Sequence, residues 1–577
     1  GQVIQVTAHE ANLRPREDVV CVGLPPVDIE RARDVEDSYV PGKFLASVLP
    51  GIDVNAIPIP AYQNGLVPLQ SLRGAAAVAY LDYDGEIVGS WGGVEAAPFS
   101  ITNEELLEVW ERVSEDFAPF TINVTTDEAV FLAANPTSRI RCIVTPTADA
   151  SPGGGGVAYL DSFNWDGDTP CWAFYRAGKS AAEAISHEIG HTLGLSHDGI
   201  DEPGETGTNY YSGHGSGKTS WAPLMGVGYY SDLTQWSKGD YAYATNTEDD
   251  LAIITTRNNG VVYRVDDHGN TLIAASELEV YPDGSVQGRG ILEQGTDIDA
   301  FRFTTNGGSV NLAVEPMDEG ANVDLSLSLI NQAGTTLLSD QPAASITAAI
   351  SGTLSPGDYA VRVSPASKGT ASSGYTTYAT LGHFEITGTI VNAALPTRLG
   401  LEEHSANGAS AGVVLVDNPN SAPLSYSITS GNDHGTFAIS SGGDLTVANH
   451  ALLDYEVQPQ WDLRLNVTNT LNSAYNVVDH RVVVSLSNVN EAPVFSSTAP
   501  SGLTFLERSK LGTPVYTPSV TDQDYDTILT YAIESGNALG LFAVDLYTGQ
   551  VAVNGQLDVA PGTSPTLRIR ATDTGTP

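Results

Sequence analysis

Cysteine, methionine and basic residues are scarce in this chain of 577 residues. Three cysteines are too few for a disulfide-rich scaffold. Lysines and arginines number 26 against 69 aspartates and glutamates, which gives a formal net charge of −43 at pH 7. Nucleic acids and anionic membranes bind to cationic faces, so this balance argues against both classes of partner. It favours a surface suited to salty water, many divalent-cation sites, or both.

Long apolar runs are missing as well. No stretch approaches about 18 consecutive apolar residues, so we predict no transmembrane segment in this chain. No signal peptide is visible, and a secreted protein would have lost that segment before residue 1. The length suggests about four domains at roughly 150 residues per domain.

The pattern along the chain predicts a multidomain protein. Residues 1–68 are rich in proline and weakly periodic, which is typical of a pro-segment, a leader or a linker. Strand-like and helical segments alternate over 69–260 and predict an α/β domain. Short β-type segments separated by turn residues follow, and they predict three β-sandwich modules over 262–392, 395–490 and 491–577. The last two modules are imperfect repeats of each other.

A helix is predicted over Ser180–Leu193 and carries the most informative motif. Ser180 and Glu183 have the spacing of a capping box, which predicts the start of this helix. Gly194 stands where a glycine ends a helix and allows a sharp turn.

The motif is HEIGHTLGLSHD, from His187 to Asp198. On a helix, His187 and His191 are one turn apart and present both imidazoles to one metal ion. The turn after the helix brings His197 back as a third ligand. Three neutral nitrogens suit Zn²⁺ and leave a fourth position for water, whose pKa zinc lowers to about 7. Glu188 is the candidate general base, which takes the proton and passes it to the leaving amine.

Two alternatives to a catalytic zinc centre stay open for this motif. A purely structural zinc site would need a fourth protein ligand. A catalytically inactive relic would keep the same residues.

The motif resembles the metzincin clan of zinc endopeptidases, over about residues 74–258. The aspartate directly after the third histidine, Asp198, makes the motif similar to that of the reprolysin/adamalysin branch. The resemblance implies that Met225 forms the methionine turn beneath the zinc without binding it. Several metzincins have a tyrosine two residues later that helps to bind the transition state. Val227 stands there in this chain, so that role is not transferred. Tyr229 and Tyr230 follow as packed aromatics or substrate contacts.

The resemblance also implies how substrate binds. Proteins or peptides in extended conformation would pair with an exposed edge strand above the zinc, by main-chain hydrogen bonds. Gly155–Phe163 is the candidate for that strand. His214, in a loop rich in glycine and serine, is either a further group near the metal or an exposed loop histidine.

The three cysteines fall into two groups. Cys142 and Cys171 lie on or near predicted strands, and a disulfide between them is the favoured interpretation. The context of Cys21 resembles the cysteine switch of matrix metalloprotease pro-segments, in which a thiolate occupies the open position of the zinc. An incidental cysteine in a leader is the alternative.

The remaining modules carry two further resemblances. Residues 262–392, with the segment Asp297–Phe303, resemble the β-sandwich of pre-peptidase C-terminal type found after secreted bacterial proteases. The segments Leu453–Glu456, Asn488–Phe495, Asp522–Asp524 and Ala571–Pro577 carry the second resemblance. Through them, residues 395–577 resemble two cadherin repeats, in which Ca²⁺ stiffens the junction between modules; unliganded sandwiches are the alternative. The calcium ligands implied by this resemblance are Glu403, Asp454, Glu456, Asn488, Asn490, Glu491, Asp522, Asp524 and Asp573.

Together these patterns predict a metzincin-type α/β catalytic domain followed by three β-sandwich modules. The expected protein is a secreted or surface-exposed zinc endopeptidase with catalytic Zn²⁺ and structural Ca²⁺. The alternative is a cell-surface adhesion or matrix protein whose protease domain is vestigial or acts on itself, with a partner on the cell surface or in the matrix. The resemblance to cadherin repeats implies that the second repeat lacks its final strand, so we expect the natural polypeptide to continue past Pro577.

Overall fold

The computed structural model describes residues 69–257, 259–316, 320, 322–496, 509–524, 529–546, 549–555 and 566–573. The chain forms two compact units, which divide between Ala394 and Leu395. Among the described residues, no helix has the length and apolar character needed to cross a membrane.

The first unit begins with a five-stranded sheet in the order β4-β1-β5-β7-β6. Strands β1, β4, β5 and β7 are parallel, and β6 at one edge is antiparallel to β7. The elements of this α/β part are β1 (Ala77–Asp82), β2 (Ile87–Val88), β3 (Val94–Glu95), α1 (Asn103–Asp116), β4 (Ile122–Thr125), α2 (Glu128–Ala133), β5 (Arg139–Val144), β6 (Gly156–Val157), β7 (Cys171–Ala173), α3 (Gly178–Thr192), β8 (Trp221–Pro223), β9 (Leu233–Gln235) and α4 (Asp250–Thr256).

Helix α1 begins where its sequence offers a cap. Thr102 accepts a hydrogen bond from the backbone N–H of Glu105, and the Glu105 side chain accepts from the backbone of Thr102. This reciprocal pair satisfies two backbone donors at the start of the helix. Trp110, on the buried face, donates its indole N–H to the Val124 carbonyl of β4. The contact fixes α1 against the sheet.

Helix α3 starts two residues before the predicted cap. Ala177 precedes the helix without a side-chain cap, so the predicted capping box of Ser180 and Glu183 is wrong. Glu183 instead accepts a hydrogen bond from Thr234 Oγ1 at 2.8 Å. The other end agrees with the sequence, because Gly194 follows the helix with a φ of +104°. Few residues other than glycine adopt that backbone conformation.

A β-sandwich completes the first unit. Its two five-stranded sheets have the orders β10-β13-β18-β15-β16 and β11-β12-β19-β14-β17. Alternate apolar residues of the two sheets face each other and form one core. Its strands are β10 (Ser276–Glu277), β11 (Glu279–Val280), β12 (Ser285–Leu292), β13 (Asp299–Thr305), β14 (Gly308–Pro316), β15 (Leu325–Asn331), β16 (Thr336–Asp340), β17 (Ala348–Leu354), β18 (Gly357–Pro365) and β19 (Gly382–Ile390).

The sandwich is joined to the α/β part by buried contacts. Ala379 and Leu381 lie in the hydrophobic core of the α/β part. Glu115 of α1 accepts hydrogen bonds from the backbone N–H and the Nδ1 of His383, at 2.8 and 2.7 Å. Asn322 donates its side-chain amide to Asp116 Oδ1 at 2.6 Å. These contacts make the sandwich a structural part of the first unit.

The second unit consists mainly of β-strands. A four-stranded sheet, β20-β26-β25-β22, packs against a three-stranded sheet, β21-β24-β23, and three smaller sheets follow. Its strands are β20 (Thr397–Glu402), β21 (Ser410–Val413), β22 (Leu424–Ser430), β23 (Phe437–Ile439), β24 (Asp444–Val447), β25 (Gln460–Asn469), β26 (Val477–Ser487), β27 (Val494–Phe495), β28 (Pro514–Tyr516), β29 (Val520–Thr521), β30 (Thr530–Ser535), β31 (Phe542–Val544), β32 (Val551–Val553) and β33 (Arg568–Thr572). The protein is thus multidomain and mostly β-sandwich, with few helices.

Candidate functional site

The structure brings His187, His191 and His197 together. One ring nitrogen from each lies within 4.8 Å of the other two, and Nε2 of His191 is 2.9 Å from Nε2 of His197. His187 Nδ1 hydrogen-bonds to the Leu224 carbonyl at 2.9 Å, and His191 Nδ1 to the Leu195 carbonyl at 2.7 Å. A carbonyl can only accept, so each Nδ1 carries the proton and each Nε2 is left as a lone-pair donor.

The surroundings keep these imidazoles neutral. Burial lowers the pKa of His187 well below its usual value, with further lowering by His191 and His197. Burial also lowers the pKa of His191 to about 3 and that of His197 to about 4. A neutral imidazole is the form that binds metal.

The donor set fits a zinc ion. Zinc takes nitrogen ligands at about 2.0–2.1 Å in tetrahedral geometry, which places ligand atoms roughly 3.3 Å apart. Among the described residues, the buried Nε2 of His187 has no hydrogen-bond partner. A buried polar atom without a partner is unfavourable, and a metal ion at this point would satisfy it.

Glu188 lies between the histidine cluster and the edge of the sheet. Its carboxylate is fully buried and stands against β6, since a Cβ atom on Gly156 would lie 2.6 Å from Glu188 Oε1. Only the Gly156–Val157 part of the predicted segment Gly155–Phe163 forms a strand, and it is the edge strand β6.

Met225 packs beneath the helix that carries the cluster. It is fully buried, and its Sδ atom would lie 2.6 Å from a Cβ atom on Gly190 of α3. Its backbone carbonyl accepts a hydrogen bond from the N–H of Asp198 at 2.9 Å. The segment around Met225 therefore contacts both the helix and the residue that follows the third histidine.

His214 does not join the histidine cluster. Its Nδ1 is 2.7 Å from the Tyr211 hydroxyl, and its Nε2 is 2.7 Å from the Gly374 carbonyl of the sandwich. The suggestion that His214 approaches the metal is therefore wrong. Tyr229 is buried and packs edge-on against Tyr175, with 5.8 Å between ring centroids.

Tyr210 is a site residue that the sequence did not reveal. Its ring lies 4.4 Å from the ring of His197, centroid to centroid. The tyrosine stands 13 residues after the histidine, outside any helical or strand spacing with it. A contact through a folded loop leaves no periodic signal in the sequence.

The predicted disulfide is wrong. Cys142 and Cys171 are buried, free thiols at paired positions of the neighbouring strands β5 and β7. Cys171 Sγ donates instead to the Arg141 carbonyl at 3.7 Å. Cys21, the candidate latency switch, lies outside the described residues.

A second group of candidate ligands converges in the second unit. Glu403, Asp454 and Glu456 each place a carboxylate oxygen within 4.8 Å of the others. Glu403 accepts from the backbone N–H groups of Tyr455 and Val489, at 2.8 and 2.6 Å. Burial, with a further contribution from the nearby carboxylates, raises the pKa of Glu456 to about 7.

The linker and the second predicted repeat contribute to the same region. The backbone N–H of Glu491 donates to Asp524 Oδ2 at 2.7 Å, and Asn490 Nδ2 donates to Asp573 Oδ1 at 3.3 Å. Burial raises the pKa of Asp522, and Asp524 and Asp573 raise it further.

Asn488, another predicted ligand, is exposed, and its role stays a prediction. His404, which the sequence did not single out, has its Nε2 2.5 Å from Glu491 Oε1.

Comparisons with known proteins find cadherins. The chain is 32% identical over 162 residues to Protocadherin Fat 2 of Mus musculus, which is 28% of this chain and 4% of that protein. It is 31% identical over 160 residues to Protein dachsous of Drosophila melanogaster, 27% of this chain and 4% of that protein. Human Protocadherin-24 EC1-2 has a TM-score of 0.26 at 22% identity, over 31% of this chain and 93% of that structure. No family model matches the chain.

These comparisons identify the modules in one part of the chain. The chain contains cadherin-like repeats, and the predicted extracellular or cell-surface location is confirmed. The chain spans only 4% to 6% of the length of these curated relatives. The metzincin and pre-peptidase C-terminal resemblances stay predictions.

Proposed function

We propose that this protein is an extracellular or surface-exposed zinc endopeptidase that carries cadherin-like repeats. The observation that supports the proposal best is the convergence of His187, His191 and His197, which each place a ring nitrogen within 4.8 Å of the other two. The Nδ1 hydrogen bonds of His187 and His191 leave their Nε2 atoms as lone-pair donors, and burial keeps His197 neutral. No fourth protein ligand appears with them in the histidine group found among the described residues. An open fourth position favours a catalytic site over a structural one.

Glu188 is suited to proton transfer in this site. A zinc ion on the three histidines would lower the pKa of a water molecule and polarise a peptide carbonyl. Glu188 follows the first ligand in α3 and is fully buried beside β6, so its carboxylate is next to the path of a peptide. We assign to Glu188 the removal of a proton from water and its delivery to the leaving amine.

Strand β6 supplies the proposed binding edge. In an antiparallel pair, successive residues direct their backbone groups alternately toward the partner strand and away from it. The Gly155 carbonyl accepts from the Phe174 N–H at 2.9 Å, on the side of β7. The backbone groups of Gly156 then face away from β7, where an extended peptide can pair with them. A peptide held there passes beside Glu188.

The experiment is hydrolysis of casein and of short peptides by the purified chain. Activity should disappear with a zinc chelator and return when zinc is added. Glu188→Gln should retain zinc and lose activity by several orders of magnitude, since the ligands remain and the base is gone. Near-normal hydrolysis by Glu188→Gln would contradict the mechanism.

The cadherin relatives favour a second function, cell-surface adhesion. The carboxylates around Glu403 would hold Ca²⁺ and stiffen the repeats, because Ca²⁺ takes 6–8 oxygen ligands. In the extreme form of this proposal the α/β part is a relic without peptidase activity. A zinc-loaded wild type that fails to hydrolyse casein or peptides would favour adhesion alone.

A further inference from the structure

Five carboxylates meet where the chain enters the sandwich of the first unit. Asp266 and Asp267 lie on the segment that leads from the α/β part into the first sandwich strand. Glu293 and Asp297 lie between β12 and β13, and Asp299 is the first residue of β13. We call these five residues the sandwich acidic cluster.

The cluster contains two overlapping groups of possible ligands. Asp266, Asp267 and Glu293 offer three carboxylate oxygens within 4.8 Å of one another. Asp266, Asp297 and Asp299 offer a second such set. Asp266 belongs to both, so the oxygens surround one small region.

Two of these carboxylates are buried and lack any hydrogen-bond donor. Asp299 is 0% exposed and Glu293 is 2% exposed. Neither oxygen of either side chain has a hydrogen-bond partner in the part of the chain that the structure describes. A buried carboxylate without a donor is strongly destabilising in its charged form. The surroundings of Asp299 are tightly packed, because a Cβ atom added to Gly290 would lie 2.9 Å from Asp299 Oδ2.

Three basic side chains, Arg264, His268 and His383, lie near the cluster, and each of them has another hydrogen-bond partner. No lysine or arginine among the described residues forms an ion pair with any of the five carboxylates. Arg264 is near enough to interact electrostatically with Glu293 and Asp267, but its Nε donates to the Phe120 carbonyl. His268 Nε2 lies 3.6 Å from Asp267 Oδ1, and that nitrogen hydrogen-bonds to the Arg289 carbonyl.

We propose that the sandwich acidic cluster is a binding site for Ca²⁺. The cluster offers only oxygen ligands, which Ca²⁺ prefers and which suit zinc less well than nitrogen or sulfur. Bound Ca²⁺ would tie Asp266 and Asp267 of the entering segment to Asp299 at the start of β13. The ion would thereby fasten the sandwich to the chain that leaves the α/β part, independently of any zinc at the histidines.

The test is direct calcium binding to the full chain at neutral pH, by equilibrium dialysis with radioactive Ca²⁺. Asp299→Asn and Glu293→Gln remove one charge each from the buried part of the cluster. Asp266→Asn changes an exposed residue, so we expect it to leave the fold intact. Asp283→Asn, at an exposed carboxylate between β11 and β12, is the matched control. All four variants are also made with Glu403→Ala, which disables the candidate calcium group of the second unit.

We expect each of the three cluster variants to bind at least one Ca²⁺ fewer per chain, or to bind it at least 10-fold more weakly. The control should bind as the wild type does. The same loss should occur in the Glu403→Ala background, because the two groups lie in different units. Unchanged binding by Asp266→Asn and Asp299→Asn would overturn the proposal, and so would a loss that vanishes in that background.

Discussion

The Sδ atom of Met225 lies 2.6 Å from the point that a Cβ atom on Gly190 would occupy. Gly190 precedes His191 in α3, and Leu224, next to Met225, accepts the hydrogen bond of His187. The helix and the methionine segment therefore approach so closely that a glycine is needed between two of the proposed ligands. The contact between Gly190 and Met225 thus sets the position of Met225 relative to the proposed ligands His187 and His191.

Gly190→Ala should consequently disturb the metal centre. Alanine favours a helix over glycine by about 1 kcal/mol, but overpacking a buried contact costs about 1–3 kcal/mol, so the clash should win. We expect lower zinc content by mass spectrometry and a lower melting temperature than in the wild type. Gly89→Ala, at a position with open space around it, is the control. A variant that is more stable and fully zinc-loaded would refute this packing argument.

Gly156→Ala should separate catalysis from metal binding. A Cβ there would lie 2.6 Å from the Trp172 carbonyl of β7 and from the Glu188 carboxylate. The backbone of β7 cannot yield easily, so Glu188 or β6 must move. We expect kcat to fall at least about 10-fold while zinc content stays constant, because a 1 Å misplacement of a reacting group lowers rates on the order of 100-fold.

The matched control for Gly156→Ala is Gly167→Ala, where the added methyl group meets no neighbour. Its kcat and zinc content should equal those of the wild type. Equal kcat values for the two variants would show that β6 and Glu188 do not act together.

Local spacing predicted the parts of the site that lie on one element. His187, Glu188 and His191 are fixed relative to each other by the helix, and Gly194 marks the turn that returns His197. The start of α3 was predicted wrongly, because a tertiary partner decides it. Glu183 bonds to Thr234, 51 residues away, and so does not cap its own helix.

Contacts between distant segments could not be predicted from the spacing of residues along the sequence. His214 hydrogen-bonds to the Gly374 carbonyl, 160 residues away. This loop histidine, a candidate metal ligand in the sequence, therefore links its loop to the sandwich. In the sequence, Asp299 stood only within the segment Asp297–Phe303, which carries the resemblance of residues 262–392 to a β-sandwich module. Its meeting with Asp266 depends on how the entering segment folds back on the sandwich, which neither periodicity nor composition reveals.

Glu115→Ala should weaken the first unit as a whole. The buried Glu115 carboxylate accepts two hydrogen bonds from His383 of the sandwich, at 2.8 and 2.7 Å. Hydrogen bonds to a charged group contribute about 1.5–3 kcal/mol, and removal of the carboxylate leaves both donors buried. We expect the free energy of unfolding of the first unit to drop by about 2–4 kcal/mol in chemical denaturation.

The control for this change is Glu104→Ala, an exposed carboxylate in the first turn of the same helix. Its effect should stay below about 1 kcal/mol, the size of a surface charge near a helix N-terminus. If both variants unfold alike, the contact between α1 and His383 does not stabilise the unit.

Calcium should protect the second unit from local opening in a manner that depends on Glu403. This carboxylate belongs to two groups of possible ligands, one with Asp454 and Glu456 and one with His404 and Glu491. A ligand present at about 100 times its dissociation constant stabilises the folded form by about 2.7 kcal/mol. Amide exchange in peptides from 403 to 491, followed by mass spectrometry, should therefore slow by roughly 100-fold in calcium relative to chelator.

Glu403→Ala should abolish this calcium-dependent difference, whereas Glu402→Ala, at the exposed neighbouring residue, should retain it. The difference between calcium and chelator is the decisive quantity. Glu403 also accepts hydrogen bonds from the Tyr455 and Val489 backbones, so its loss speeds exchange even without calcium. Equal exchange of the wild type in calcium and in chelator would leave the carboxylates around Glu403 without a calcium-binding role, although the cadherin-like repeats themselves would stand.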